Sequence, residues 1–66
     1  MQITLNGQAR ELPAGTTVLG LLDTLGYTGK RVAVERNGDI VPKSQHAGTP
    51  LADGDQVEIV VAVGGG

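Results

Sequence analysis

Residues 1–5 alternate, with Met1, Ile3 and Leu5 on one side and Gln2 and Thr4 on the other. A period of two predicts a half-buried β-strand. Asn6-Gly7 follows, a strong hairpin signal because a type I′ turn needs positive φ at both central positions. Residues 8–12 predict the returning strand, stopped by Pro13, which cannot donate to a ladder. Such a turn sets Leu5 opposite Gln8, so Arg10 and Leu12 fall on the Leu5 side. A cation there predicts a sheet edge, with the Arg10 stem packed and its head in water.

The period then changes. Val18, Leu21, Leu22 and Leu25 have the i, i+3, i+4, i+7 spacing of one helix face, with Thr17 as N-cap and Gly26 as C′ residue. Gly20 inside this helix costs about 1 kcal/mol against Ala, which predicts either a tolerant exposed face or a strand passing close by. Residues 31–36 and 39–41 predict a second hairpin around Asn37-Gly38, with Arg36 facing Asp39 as an exposed pair and Pro42 stopping the strand. Residues 43–47 look like a short helical turn, Leu51 a core anchor in an extended stretch, and Asp53-Gly54-Asp55 a turn. Residues 56–63 predict the last and longest strand, with Val57, Ile59, Val61 and Val63 on one face and Glu58, Val60 and Ala62 on the other.

Strands before and after one helix predict an α+β fold, with the helix covering one face of a mixed sheet. The first and last strands then pair in parallel at its centre, which is the ubiquitin-like β-grasp arrangement. Residues 1–63 make the β-grasp domain and residues 64–66 a flexible tail.

Composition narrows the function. A chain of 66 residues is one small domain, and such a domain buries only about 60% of its unfolded surface. Without Trp or Phe, and with Tyr27 as the sole aromatic, the core is aliphatic and offers no stacking platform for bases or sugars. The absence of Cys excludes a disulfide scaffold, a Cys-based zinc site and a thiol nucleophile. A net charge of −2 with no basic run leaves no nucleic-acid footprint. No apolar run approaches the ~20 residues of a membrane span, and the opening residues lack a signal-peptide pattern, so a cytoplasmic location is expected. No metal site is expected. His46 is a lone histidine that reads as a packing or surface residue, and Asp53 and Asp55 lack the further ligands of a calcium loop. Lys30 and Arg31 read as a solvated loop that could also meet a phosphate or an acidic partner.

The candidate chemistry lies at the end of the chain, where Gly64, Gly65 and Gly66 directly follow the longest strand. By composition alone they read equally as a plain low-complexity end, and their place against the strand favours a working tail. Extended, three residues reach about 10 Å, enough to carry a carboxylate into a partner's active site. Without Cβ atoms the tail threads narrow channels, and nothing shields the carboxyl carbon of Gly66. That carboxylate can attack the α-phosphate of ATP held by a partner, and a sulfur donor can displace AMP from the acyl-adenylate to leave a thiocarboxylate. The chain would bind no cofactor, ATP being the partner's. Val60 and Ala62, next to this end, predict a docking patch on the open sheet face, continued by Gly64.

Taken in order, Met1-Gln2-Ile3 with Leu5-Asn6-Gly7, Leu12-Pro13, Thr17-Val18, Leu21-Leu22, Leu25-Gly26, Val32-Ala33-Val34-Glu35, Asn37-Gly38, Ile40-Val41-Pro42, Leu51, Asp53-Gly54-Asp55, Val57-Glu58-Ile59-Val60 and Gly65-Gly66 resemble the ThiS family of thiamine-biosynthesis sulfur carriers along the whole chain. The resemblance implies a carrier and not an enzyme. Gly66 would be adenylated by a ubiquitin-activating-type enzyme, loaded from a donor such as a cysteine desulfurase, and would deliver sulfur to thiazole synthase, while Gly65 permits threading. Two positions depart from the family pattern: Arg10, where an apolar residue is expected, and His46, where relatives often carry a large aromatic. The alternatives are a carrier of another sulfur pathway, of the molybdopterin synthase small-subunit or tRNA-thiolation kind, a β-grasp binding module that needs no free terminus, and a modifier joined to lysines through Gly66.

Overall fold

The computed structural model describes residues 1–62. Five strands form one mixed sheet in the order β2-β1-β5-β3-β4. These are β1 (Gln2–Leu5), β2 (Gln8–Glu11), β3 (Val32–Arg36), β4 (Asp39–Val41) and β5 (Gln56–Val61), with helix α1 (Val18–Thr24) between β2 and β3 and a 3₁₀ turn at Lys43–Gln45. β1 and β5 pair in parallel at the centre, and every other pairing is antiparallel. This is the β-grasp arrangement that the pattern predicts.

Both hairpins turn on Asn-Gly. Asn6 and Gly7 have φ of 49° and 82°, and Asn37 and Gly38 have 51° and 88°, the positive values that a type I′ turn requires. The turns fix the register, Leu5 opposite Gln8 and Arg36 opposite Asp39. β2 is an edge strand exposed along its whole length, and Arg10 lines a shallow hollow with Leu5, Leu25 and Tyr27. Its edge placement is as expected.

The core is aliphatic. Ile3, Val18, Leu21, Val34 and Val57 are all but inaccessible, and Leu5, Leu12, Leu22, Val41, Leu51 and Ile59 surround them. Alternation in the strands and the helical period of α1 deliver these side chains to one layer between helix and sheet.

The first turn of α1 shows how loop and helix are joined. The Thr17 hydroxyl accepts the Gly20 N–H at 3.1 Å, while the Val18 and Leu19 N–H groups donate to the Thr49 and His46 carbonyls, both at 2.9 Å. The donors that a helix leaves orphaned at its start are thus met by a cap and by the segment after the 3₁₀ turn. At the other end the Gly26 N–H donates to Asp23 O and the Tyr27 N–H to Leu22 O, a Schellman closure with Gly26 at φ 77°. His46 is buried, and its Nε2 lies 3.0 Å from the Val41 carbonyl, to which Nε2–H donates. It is a packing residue, at the place where the family resemblance implies an aromatic.

One expectation changes, and one pair of alternatives is decided in favour of the tolerant face. Arg36 stands opposite Asp39 in the ladder, but its guanidinium reaches across the sheet to Asp55, with Nε 2.8 Å from Oδ2. Gly20 has no strand beside it. A Cβ there would meet only Thr16 Cγ2 and Thr17 Oγ1, each at an ordinary 3.5 Å, so the half-buried position accepts alanine. Gly20→Ala is therefore expected to stabilise the domain by up to about 1 kcal/mol. Thermal unfolding should show a midpoint higher by roughly 4–8 °C, and an unchanged or lower midpoint would contradict this reading of the helix.

Candidate functional site

The strand that leads toward the terminal glycines sits between β1 and β3. Its faces divide as the alternation predicts. Val57 and Ile59 are buried toward α1, Val61 is half-buried, and Glu58, Val60 and Ala62 lie on the open face. Val60 is 65% exposed. The ladder with β3 runs one step past β5, since the Ala62 N–H donates to Arg31 O at 2.9 Å. Of the predicted site residues, Val60 and Ala62 therefore stand together at the end of a firmly paired strand. Gly64, Gly65 and Gly66 lie outside the described residues, as does Val63.

The register adds neighbours that one-strand reasoning missed. Ala33 on β3 is directly opposite Val60, and Glu35 is directly opposite Glu58 and next to Ile40 on β4. Ile40 is 63% exposed. The open face thus carries an apolar patch of Ala33, Val60 and Ala62 at the end of the described chain, and beyond it two facing carboxylates beside Ile40. Like charges directly opposite on neighbouring strands destabilise a sheet, so folding alone does not favour that pair. The periodicity of β3 and β4 holds this information only once their partners are known.

Side chains from both hairpin turns hold β5 in place. Asn6 Oδ1 accepts the Ile59 N–H at 2.8 Å, and Asn6 Nδ2 donates to Ile59 O at 3.2 Å. β1 pairs with β5 only to Leu5 and Val57, so the amide of Asn6 continues the ladder where the backbone turns away. At the start of β5, Asn37 exchanges backbone and side-chain bonds with Gln56 at 2.7 and 2.9 Å. Asp55, 6% exposed, accepts from Arg36 Nε at 2.8 Å, Asn37 Nδ2 at 3.0 Å and the Ala52 N–H at 2.8 Å. The sequence marked this aspartate only as part of a turn. Burial pushes its pKa up, and the hydrogen bonds from Arg36, Ala52 and Asn37, with the charge of Arg36, more than offset this. The carboxyl consequently titrates below the ordinary 3.8.

Residues 3–66 match the ThiS family model, which includes the terminal glycines. The chain belongs to the ThiS family. Over its whole length it is 39% identical to the sulfur carrier protein ThiS of Escherichia coli (strain K12), and the match covers all of that protein. It is 48% identical over 66 residues to a thiazole synthase of Paramagnetospirillum magneticum, of whose length the chain spans 20%. The crystal structure of the thiamine biosynthesis protein ThiS from Geobacter metallireducens superposes with a TM-score of 0.84 at 32% identity, covering all of both chains. Among the described residues, no helix is long and apolar enough to cross a membrane, and no three His, Cys, Asp or Glu side chains gather as metal ligands.

The Asp55 network has a pH signature. Because the folded pKa lies below the unfolded one, its contribution to stability is complete above about pH 4 and is lost as the pH falls through the folded value. Asp55→Asn should destabilise the domain at pH 7 by about 1–3 kcal/mol. In chemical denaturation the gap between the two proteins should close as the pH is lowered below about 4. A gap independent of pH would show that the charge of Asp55 is not what holds the turn.

Proposed function

We propose that the chain is a sulfur carrier of thiamine biosynthesis and that the carboxyl of Gly66 is its working group. The observation that carries this reading is the family match, which runs through the glycines that follow β5. A carboxylate oxygen of Gly66 attacks the α-phosphorus of ATP in an adenylating enzyme of the ubiquitin-activating type, and pyrophosphate leaves. The outer sulfur of a persulfide on a donor such as a cysteine desulfurase then adds to the acyl carbon and AMP leaves. A thiol reductant cleaves the resulting acyl disulfide, releasing the thiocarboxylate and ending as a disulfide with the donor's cysteine. The anionic sulfur of the thiocarboxylate is the nucleophile passed on to thiazole formation. In this scheme the chain is a co-substrate, and the catalytic groups belong to its partners.

The geometry supports the scheme in two ways. β5 is paired with β3 as far as Ala62 and is clamped at Ile59 by Asn6, so the last described residue before the glycines is held in the sheet. The patch of Ala33, Val60 and Ala62 there gives a partner an apolar surface to grip. Thiazole synthase is the expected acceptor, and the Paramagnetospirillum thiazole synthase contains a segment that matches this whole chain. That same observation favours a second form of the reading, in which the carrier works as a segment of a longer synthase polypeptide. The mass of the protein isolated from its natural source distinguishes the two.

Incubation with an adenylating enzyme of this kind, ATP and sulfide should convert the chain to a species in which one terminal oxygen is replaced by sulfur, read by intact-protein mass spectrometry. An unchanged mass, while a control carrier reacts, would favour a plain β-grasp binding module. A covalent adduct on another protein's lysine would favour a modifier. A variant with one residue appended after Gly66 should unfold at the same temperature and yet fail to accept sulfur. Full activity of that variant would refute the role of the terminal carboxyl.

A further inference from the structure

β4 is shorter than the strand it covers. It pairs with Val34, Glu35 and Arg36 of β3 and then turns away at Pro42, while β3 continues back to Val32. The β3–β5 register and the bond from the Ala62 N–H to Arg31 O make residues 31, 33 and 35 the ones that exchange hydrogen bonds with β5. The N–H and C=O of Val32 therefore point the other way, into the notch that β4 leaves, and neither is bonded to a described residue there. A groove of about 470 Å³ wraps this notch. Leu22, His46 and Ala47 lie on its helix side, and Ala33, Val60 and Ala62 on its open-face side.

Charge is distributed unevenly around it. The chain has five Lys and Arg residues. Arg36 is held by Asp55 and Arg10 lies at the β2 edge. The other three, Lys30, Arg31 and Lys43, are all exposed and all line this groove, and none of the seven Asp and Glu residues does.

We propose that this notch is a strand-addition site for an extended acidic segment of a partner protein. The segment would pair its backbone with Val32, place an apolar side chain against Leu22 and Ala47, and set carboxylates beside Lys30, Arg31 and Lys43. Backbone pairing supplies affinity independent of side chains, and the flanking charges supply selectivity and a fast encounter. The site is distinct from the tail carboxyl and does not depend on its chemistry. It adjoins the Val60 patch, so one partner could hold both.

The test is titration of the ¹⁵N-labelled full chain with a capped peptide of three valines flanked by two aspartates at each end. Lysine-flanked peptide and inorganic phosphate serve as controls. Amide shifts should be confined to residues 30–33 and 43–47, the Val32 amide should exchange more slowly with solvent, and the lysine-flanked peptide should bind at least about tenfold more weakly. Lys30→Glu combined with Arg31→Glu should weaken the aspartate peptide by a similar factor with an unchanged melting temperature, and added salt should weaken it further. The proposal is overturned if the Val32 amide keeps its exchange rate, if shifts fall on the β2 edge, or if both peptides bind alike. It is also overturned if phosphate alone reproduces the shifts, which would mark a simple anion site, or if nothing binds. Because no adenylating enzyme is involved, failure here leaves the sulfur-carrier reading standing, and the reverse also holds.

Discussion

β5 comes last in the chain and must fit between the first strand and the third, taking a parallel partner on one side and an antiparallel partner on the other. Its partners on the β1 side are more than fifty residues away in the chain. This contact closes the sheet and completes the layer under α1 through Val57 and Ile59. The core and the exposed patch both follow from it.

Besides the aliphatic core, polar contacts hold this strand at its start and at Ile59. Asn37 and Asp55 fix its start against the second hairpin, and Asn6 fixes Ile59 from the first. Each asparagine thus serves twice, accepting positive φ in a turn and bonding β5 with its side chain. Replacing either with glycine would keep the turn and lose the clamp. The same division appears at α1, where Thr17 caps one donor and the backbone after the 3₁₀ turn takes two more. Secondary structure in this domain is therefore completed by segments distant in sequence, as expected where local propensity alone is too weak for a seven-residue helix.

The notable surface features gather near the end of β5. An apolar patch and a cation-rimmed notch lie beside it, and the carboxylates of Glu35 and Glu58 lie farther along the open face. Under the proposed function, selectivity would come from these surfaces beside the terminal group. The E. coli and Geobacter relatives share the full length of this domain. The Paramagnetospirillum synthase contains it as a fifth of a longer chain, so the same unit occurs in both contexts.

Much of this was legible in the residue pattern. Alternation in residues 1–5 and 56–61, the helical spacing from Val18 to Leu25, and two Asn-Gly turns determined the elements, their order and the buried faces, because period and turn chemistry are local properties of a chain. The exposure of Val60 and Ala62 followed by simple parity. What no local rule could supply was partnership across the sheet. That Arg36 would leave Asp39 for Asp55, that Asn6 would bond Ile59, and that Glu35 would face Glu58 all depend on register between strands far apart in sequence. The notch at Val32 likewise exists only because β4 stops short of its neighbour. The sequence alone determined which residues turn, pair or face inward, since those preferences belong to each short segment; only the tertiary structure decided which groups meet, since that depends on where the closing strand settles between its two distant partners.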